Sequence, residues 1–198
     1  MYKNKMAPET SKARRKPRAD SLRNREKLLA AASTVFGAGG GQASLEAVAR
    51  EAGVGIGTLY RHFPTREELF EAVYRNEVDI LHALAEELLR EQVEPVTALQ
   101  RWIHASVRLF ATKKGMIEAL QLATQASDEL KTYSMDKMTG SIGMLIDRGV
   151  GDGTLRDDIG PEDVFRALVG IYYSQNQSGG PTAALRLIDV FVDGLRKR

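Results

Sequence analysis

The sequence contains no cysteine, so disulfides, thiolate metal sites and cysteine nucleophiles are excluded, and nothing in it calls for an oxidising compartment. Histidine is almost as scarce. His62, His82 and His104 fall on separate predicted helices, without the His-x-x-x-His or carboxylate–histidine spacing that a zinc site needs, so no metal and no cofactor are expected. No apolar run approaches 18 residues, and the basic start, Met1 to Arg18, lacks the apolar stretch of a signal peptide. A chain that neither spans nor crosses a membrane is expected, in the cytoplasm. The glycine clusters at 37–41 and 53–57 match neither Gly-x-Gly-x-x-Gly nor the Gly-Lys-Ser phosphate loop, and no strand pattern precedes them. They read as turns, and no enzyme is expected.

What the sequence does have is charge, unevenly placed. The 198 residues carry a formal net charge of only +2, yet residues 1–66 hold 13 Lys/Arg against 5 Asp/Glu, and residues 67–198 hold 15 against 21. The two parts therefore face different partners. A basic part suits a polyanion, most often a phosphate backbone, from which each Lys or Arg releases condensed counterion. Residues 1–20, with Lys3, Lys5, Lys12, Arg14, Arg15, Lys16 and Arg18 and almost no apolar side chains, cannot bury enough surface to offset ordering entropy. They are read as a flexible basic arm.

From Ser21 onward the apolar residues recur at helical spacing, and no strand of note is found. A first helix through Leu22, Leu28, Leu29, Ala32, Val35 and Phe36 stops at the glycines beginning with Gly37. Ser44 caps a short second helix ended by Gly53, and GIGTLYRHF forms a third ended by Pro64. Two short helices joined by a glycine-containing turn make a helix-turn-helix, whose second helix can enter the major groove. Its groove face comprises Gly55, Ile56, Gly57, Thr58, Arg61 and His62. Thr65 with Glu68 forms a capping box for a long connecting helix to about Arg90. Pro95 starts a fifth helix ending near Lys113, a short one follows around Met116–Gln121, and a longer one spans about Asp128 to Arg148. Pro161 and Pro181 start the last two, about 161–174 and 181–195. The expected fold is all-α, with about nine helices: a three-helix helix-turn-helix domain at 21–66 and a helical bundle at 67–198.

Residues 25–74 resemble the N-terminal domain of the TetR-type transcriptional repressors nearly end to end, and AGVGIGTLYRHFPTREEL at 52–69 is the specific part. The resemblance implies double-stranded DNA, an inverted-repeat operator, as partner. It makes Tyr60 and His62 phosphate contacts, Thr58 a base or phosphate contact, and Ser44 and Arg66 phosphate anchors. The alternatives are core packing for Tyr60 and simple capping for Ser44. The chain departs from the family where a hydroxyl residue and a lysine commonly precede Gly-Thr-Leu-Tyr: Gly55 and Ile56 stand there. Ile56 can press on a thymine methyl, and Arg61 can bond guanine O6 and N7.

The same resemblance implies a C-terminal lobe that binds a small-molecule inducer and pairs with a second subunit through its last two helices. Trp102, Phe110, Met116, Met138, Ile142, Met144, Phe165 and Tyr172 offer the aromatic and Met side chains of an apolar pocket. Each taken singly is more readily core, and only the lobe as a whole supports a pocket. Phe165, Leu168, Leu185, Ile188, Phe191 and Leu195 offer a homodimer interface. The expected function is a ligand-responsive, dimeric, sequence-specific repressor. A helical carrier or enzyme and a ligand-independent DNA-binding regulator are the alternatives.

Overall fold

The start signals at Ser44, Thr65, Pro95 and Pro161 each stand at the first turn of a helix. The computed structural model describes residues 15–39, 44–119, 128–174 and 180–197. Its eight helices are α1 (Arg15–Gly39), α2 (Leu45–Glu51), α3 (Ile56–His62), α4 (Arg66–Arg90), α5 (Pro95–Ala119), α6 (Asp128–Gly151), α7 (Pro161–Ser174) and α8 (Gly180–Gly194). Ser44 Oγ accepts the Ala47 N–H at 3.1 Å, and Thr65 Oγ1 accepts the Glu68 N–H at 3.1 Å. Each satisfies a first-turn donor that the helix itself cannot. The fold is all-α, and among the described residues the one extended pairing is an isolated bridge between Leu155 and Arg196.

Glycine in the left-handed region ends two helices. Gly53, at φ +66°, donates to Arg50 O at 3.1 Å while Val54 donates to Ala49 O at 3.0 Å, closing α2 and turning the chain into α3. Gly153, at φ +72°, does the same after α6. Gln92 ends α4 in that conformation too, at φ +54°, although it carries a Cβ.

Two apolar clusters divide the molecule, and α4 belongs to both. The first gathers Leu28, Leu29, Ala32 and Phe36 of α1, Val48 and Ala49 of α2, Leu59 and Phe63, and Leu69, Phe70 and Val73 of α4. Phe36 and Phe70 meet edge to face, centroids 4.4 Å apart. The second starts at Val78 and collects Leu81, Leu88, Leu99, Trp102, Ile103, Ile142, Leu145, Val164, Leu168, Ile188 and Val192. Tyr74 packs against both. The apolar division thus falls inside α4, between Val73 and Val78, rather than at its start.

Three expectations change. The first helix begins at Arg15, not Ser21, so only residues 1–14 of the expected arm precede it, and these lie outside the described residues. The expected break near Lys113 is absent: α5 runs unbroken to Ala119, and eight helices are described rather than nine. One interior glycine, Gly115, costs about 1 kcal/mol against alanine, too little to stop a helix packed along α1 and α4. Residues 120–127, where the expected short helix ends, lie outside the described residues. Finally, the helix expected to end near Arg148 continues through Gly149 to Gly151, and the loop after it returns over Gly149 through Leu155.

Candidate nucleic-acid interface

The short α3 has one buried face and one open one. Leu59 and Phe63 are buried and Val54 is half-buried, so the helix-turn-helix is braced on the first cluster by residues on one side of the period. On the other side, Gly55, Ile56, Gly57, Tyr60 and Arg61 are exposed, with Thr58 and His62 half-buried. Tyr60 is 47% exposed, which removes the core alternative for its ring. Ser44 does cap α2, and its exposed position keeps it within reach of a phosphate oxygen as well.

Arg61 is held within its own helix. Its Nε–H donates to Gly57 O at 3.1 Å and Nη2 donates to Thr58 Oγ1 at 3.2 Å, so the guanidinium lies back toward the N-terminal turn. Gly55 and Gly57 leave that turn bare, since a Cβ built at either meets nothing within 4 Å. Arg66, at the start of α4, sits 5.1 Å over the Phe70 ring, half-buried. Arg25 of α1, which no sequence pattern singles out, sits 5.0 Å over the Phe63 ring at the end of α3. Only tertiary packing reveals it, because 38 positions separate the two in sequence. The nine expected DNA-facing residues thus lie on α3, its N-cap, and the starts of α2 and α4.

A family model described as "Bacterial regulatory proteins, tetR family" matches residues 28–73, and one described as "Transcriptional regulator SbtR-like, C-terminal domain" matches residues 94–197, more than half of the chain. The chain belongs to the TetR family. It is a DNA-binding transcriptional regulator and not an enzyme. The crystal structure of the TetR transcriptional regulator SCO0520 from Streptomyces coelicolor is 41% identical, covers 87% of this chain and 98% of its own, and superposes with a TM-score of 0.78. A TetR transcription regulatory protein from Mycobacterium vanbaalenii is 30% identical, with coverage of 91% and 99% and a TM-score of 0.73. The HTH-type transcriptional repressor KstR2 from Mycolicibacterium smegmatis is 28% identical over 191 residues, 90% of this chain and 88% of that repressor.

In this TetR-family chain the residues expected to line a pocket separate into two groups. Trp102, Met138 and Ile142 are enclosed in the second cluster, and the Trp102 indole N–H donates to Leu81 O of α4 at 2.7 Å. Phe110 and Phe165 are half-buried at its edge, and Phe110 stacks on Tyr172 with centroids 3.9 Å apart. The Tyr172 hydroxyl meets Ser106 Oγ at 2.7 Å, and burial pushes its pKa to about 12, the Ser106 bond opposing. Met144 is half-buried against the cluster. The Met116 side chain lies outside the described residues.

The expected dimer residues need correction. Leu168, Ile188 and Leu195 are buried in their own subunit's core and present no surface to a partner, while Leu185 and Phe191 are half-buried. The open apolar residues of α8 are instead Leu187, 51% exposed, and Val190, 71% exposed. Both are apolar at helical spacing, as the buried ones are, so periodicity could not choose between the two faces.

Proposed function

We propose that the protein is a homodimeric repressor that reads an inverted-repeat operator through α3 and is released by a small apolar or aromatic molecule, in the cytoplasm. The observation that carries the DNA reading is the bare, exposed face of α3 from Gly55 to Arg61, backed by a core of its own. Hydroxyl, imidazole and guanidinium groups at Ser44, Thr58, Tyr60, His62 and Arg66 supply donors suited to phosphate oxygens, which set register without reading sequence. The exposed Leu187 and Val190 of α8, with the half-buried Phe165 and Val169 of α7 and Phe191 of α8, support pairing of α7 and α8 with a second copy.

For ligand response the supporting features lie along α4. A ligand releases DNA only if it binds the non-DNA conformation more tightly, by roughly 1–3 kcal/mol for a typical coupling. Near the division between clusters, α4 is tied to α6 by polar contacts: Asp79 accepts the Tyr133 hydroxyl and pairs with Lys137 at 3.2 Å, and Arg75 pairs with Glu129 at 3.2 Å. Ser33 of α1 donates to the buried Glu77 of α4 at 2.7 Å. A shift of α6 around a ligand near Phe110, Phe165 and Tyr172 therefore pulls on the helix whose first turns belong to the DNA-binding cluster. The ligand-independent alternative is favoured by one observation, the complete enclosure of Trp102, Met138 and Ile142.

The test combines fluorescence anisotropy on a palindromic duplex with a panel of apolar and aromatic compounds. Selective binding of the palindrome, weakened by a compound that also alters Trp102 emission, is the expected result. Because the Trp102 indole is bonded to α4, movement of that helix changes its surroundings. Selective binding that no compound alters would leave the ligand-independent regulator, and equal binding of scrambled duplex would defeat the reading.

A further inference from the structure

The two hydrogen bonds of Arg61 determine which part of its guanidinium faces outward. Nε–H is taken by Gly57 O and one Nη2 proton by Thr58 Oγ1, which leaves both Nη1 protons and the second Nη2 proton. These form the end of the fork. They lie one helical turn back from the Arg61 backbone, toward the end of α3 that enters a groove, because both acceptors precede Arg61 by three and four residues. No side chain at 55 or 57 stands beside them. Gly55 has an ordinary φ of −70°, and a Cβ at either position meets nothing within 4 Å, so nothing inside the subunit demands glycine there. Bare backbone lets a base edge come close.

On these grounds we infer that Thr58 is a positioning residue that presets Arg61 to read a guanine end-on, through Nη1 and Nη2, at one position of each operator half-site. Guanine alone among the bases offers two acceptors, N7 and O6, on its major-groove edge, and the fork matches that pair. Holding Nε and one edge of Nη2 in advance removes rotamers that a free arginine loses on binding. The inference rests on the DNA-reading role of α3 and adds to it a base and the side chain that aims the reader. Thr58 serves here as acceptor toward Arg61, and the proton of its own hydroxyl remains for a phosphate oxygen.

The experiment starts by selecting duplexes from a random library with the intact wild-type protein, then measures the affinity ratio for guanine against adenine at each half-site position by anisotropy. Arg61→Lys keeps the charge but lacks the fork, and it should lose a roughly tenfold preference at one position while the salt slope stays unchanged. Thr58→Val, nearly isosteric and without the acceptor, should lower the same preference several-fold at that position only, and Thr58→Ser should restore it. Circular dichroism of each variant should match wild type, since all three changes lie on the open face. If Arg61→Lys alters no base preference, Arg61 reads no guanine. If Thr58→Val weakens all sequences equally and leaves the guanine preference intact, Thr58 is a phosphate contact only and the positioning claim falls. Unchanged discrimination in Thr58→Val also overturns it. Failure of the wild-type protein to select any sequence would instead defeat the parent DNA reading.

Discussion

Gly149 and Gln92 are paired opposites in what their side chains cost. A Cβ at Gly149 would lie 2.6 Å from Leu155 Cγ and 3.2 Å from its Cβ, in a stretch where Thr154 and Leu155 both donate to Gly149 O. Gly149→Ala should therefore destabilise by about 1–3 kcal/mol through overpacking. Gln92 has the reverse problem, a left-handed φ of +54° with a Cβ present, so Gln92→Gly should stabilise by up to about 1 kcal/mol. Urea unfolding of the two variants beside wild type checks both signs. Tyr172 supplies a pH prediction. Its folded pKa of about 12 lies above the free value of 10.0, so its contribution is complete below pH 10 and lost as pH rises toward 12. Tyr172→Phe should flatten the alkaline arm of a stability curve, and an unchanged arm would contradict the assignment. At this scale the caps Ser44 and Thr65 were legible because hydroxyl residues stand just before apolar periodicity. Glu94 was not. Its carboxylate caps α5 from Val96 N–H at 3.1 Å and Thr97 N–H at 2.8 Å, a role that glutamate's length hides in sequence. Burial opposes its ionisation, but the Thr97 and Val96 bonds outweigh that and hold its carboxyl below the ordinary range.

Among the elements, α8 most clearly separates what a pattern tells from what packing decides. Its apolar residues include Ala184, Ile188 and Val192, which are buried, and Leu187 and Val190, which are not. A sequence reading sees a helix apolar on most of its circumference and expects a partner on it, but periodicity does not say which face stays open. The structure fixes the comparison to make. Val190→Arg should leave the helical spectrum and thermal midpoint close to wild type while converting a dimer to a monomer in sedimentation. Ile188→Arg should unfold the lobe, because it places an unpaired charge in the core. A dimer that survives Val190→Arg with Leu187→Glu would remove α8 from the interface. The start of α4 was legible from Thr65 and Glu68, but its double membership was not: a continuous stripe through Phe70, Val73, Tyr74 and Leu81 gives no sign that one core ends and another begins within it. The contact of Leu81 O with Trp102 and the Asp79–Tyr133 bond join positions 21 and 54 apart, beyond any local period.

For the whole molecule the governing feature is the opposition of charge between residues 1–66 and the remainder. Lys3, Lys5, Lys12 and Arg14 precede α1, while Arg15, Lys16 and Arg18 fall within it. A truncation meant to test the arm should therefore stop at Arg14 and leave α1 whole. If two of those four side chains reach phosphates in each subunit, removing residues 1–14 should lower the salt slope by about two units per subunit and weaken binding most at low salt. An unchanged slope would make the segment a bystander. The family match at both ends of the chain and the open face of α3 support the claim on which the proposed function rests, that α3 reads DNA, and the proposed dimer would present two such helices. The measurement that addresses it most directly is selection of duplexes from a random library by the purified full-length protein, with the winners sequenced. The account predicts an inverted repeat whose half-site centres lie about 34 Å, or a multiple of it, apart, with guanine under Arg61 in both halves. Enrichment of single half-sites, direct repeats or no common sequence would contradict it.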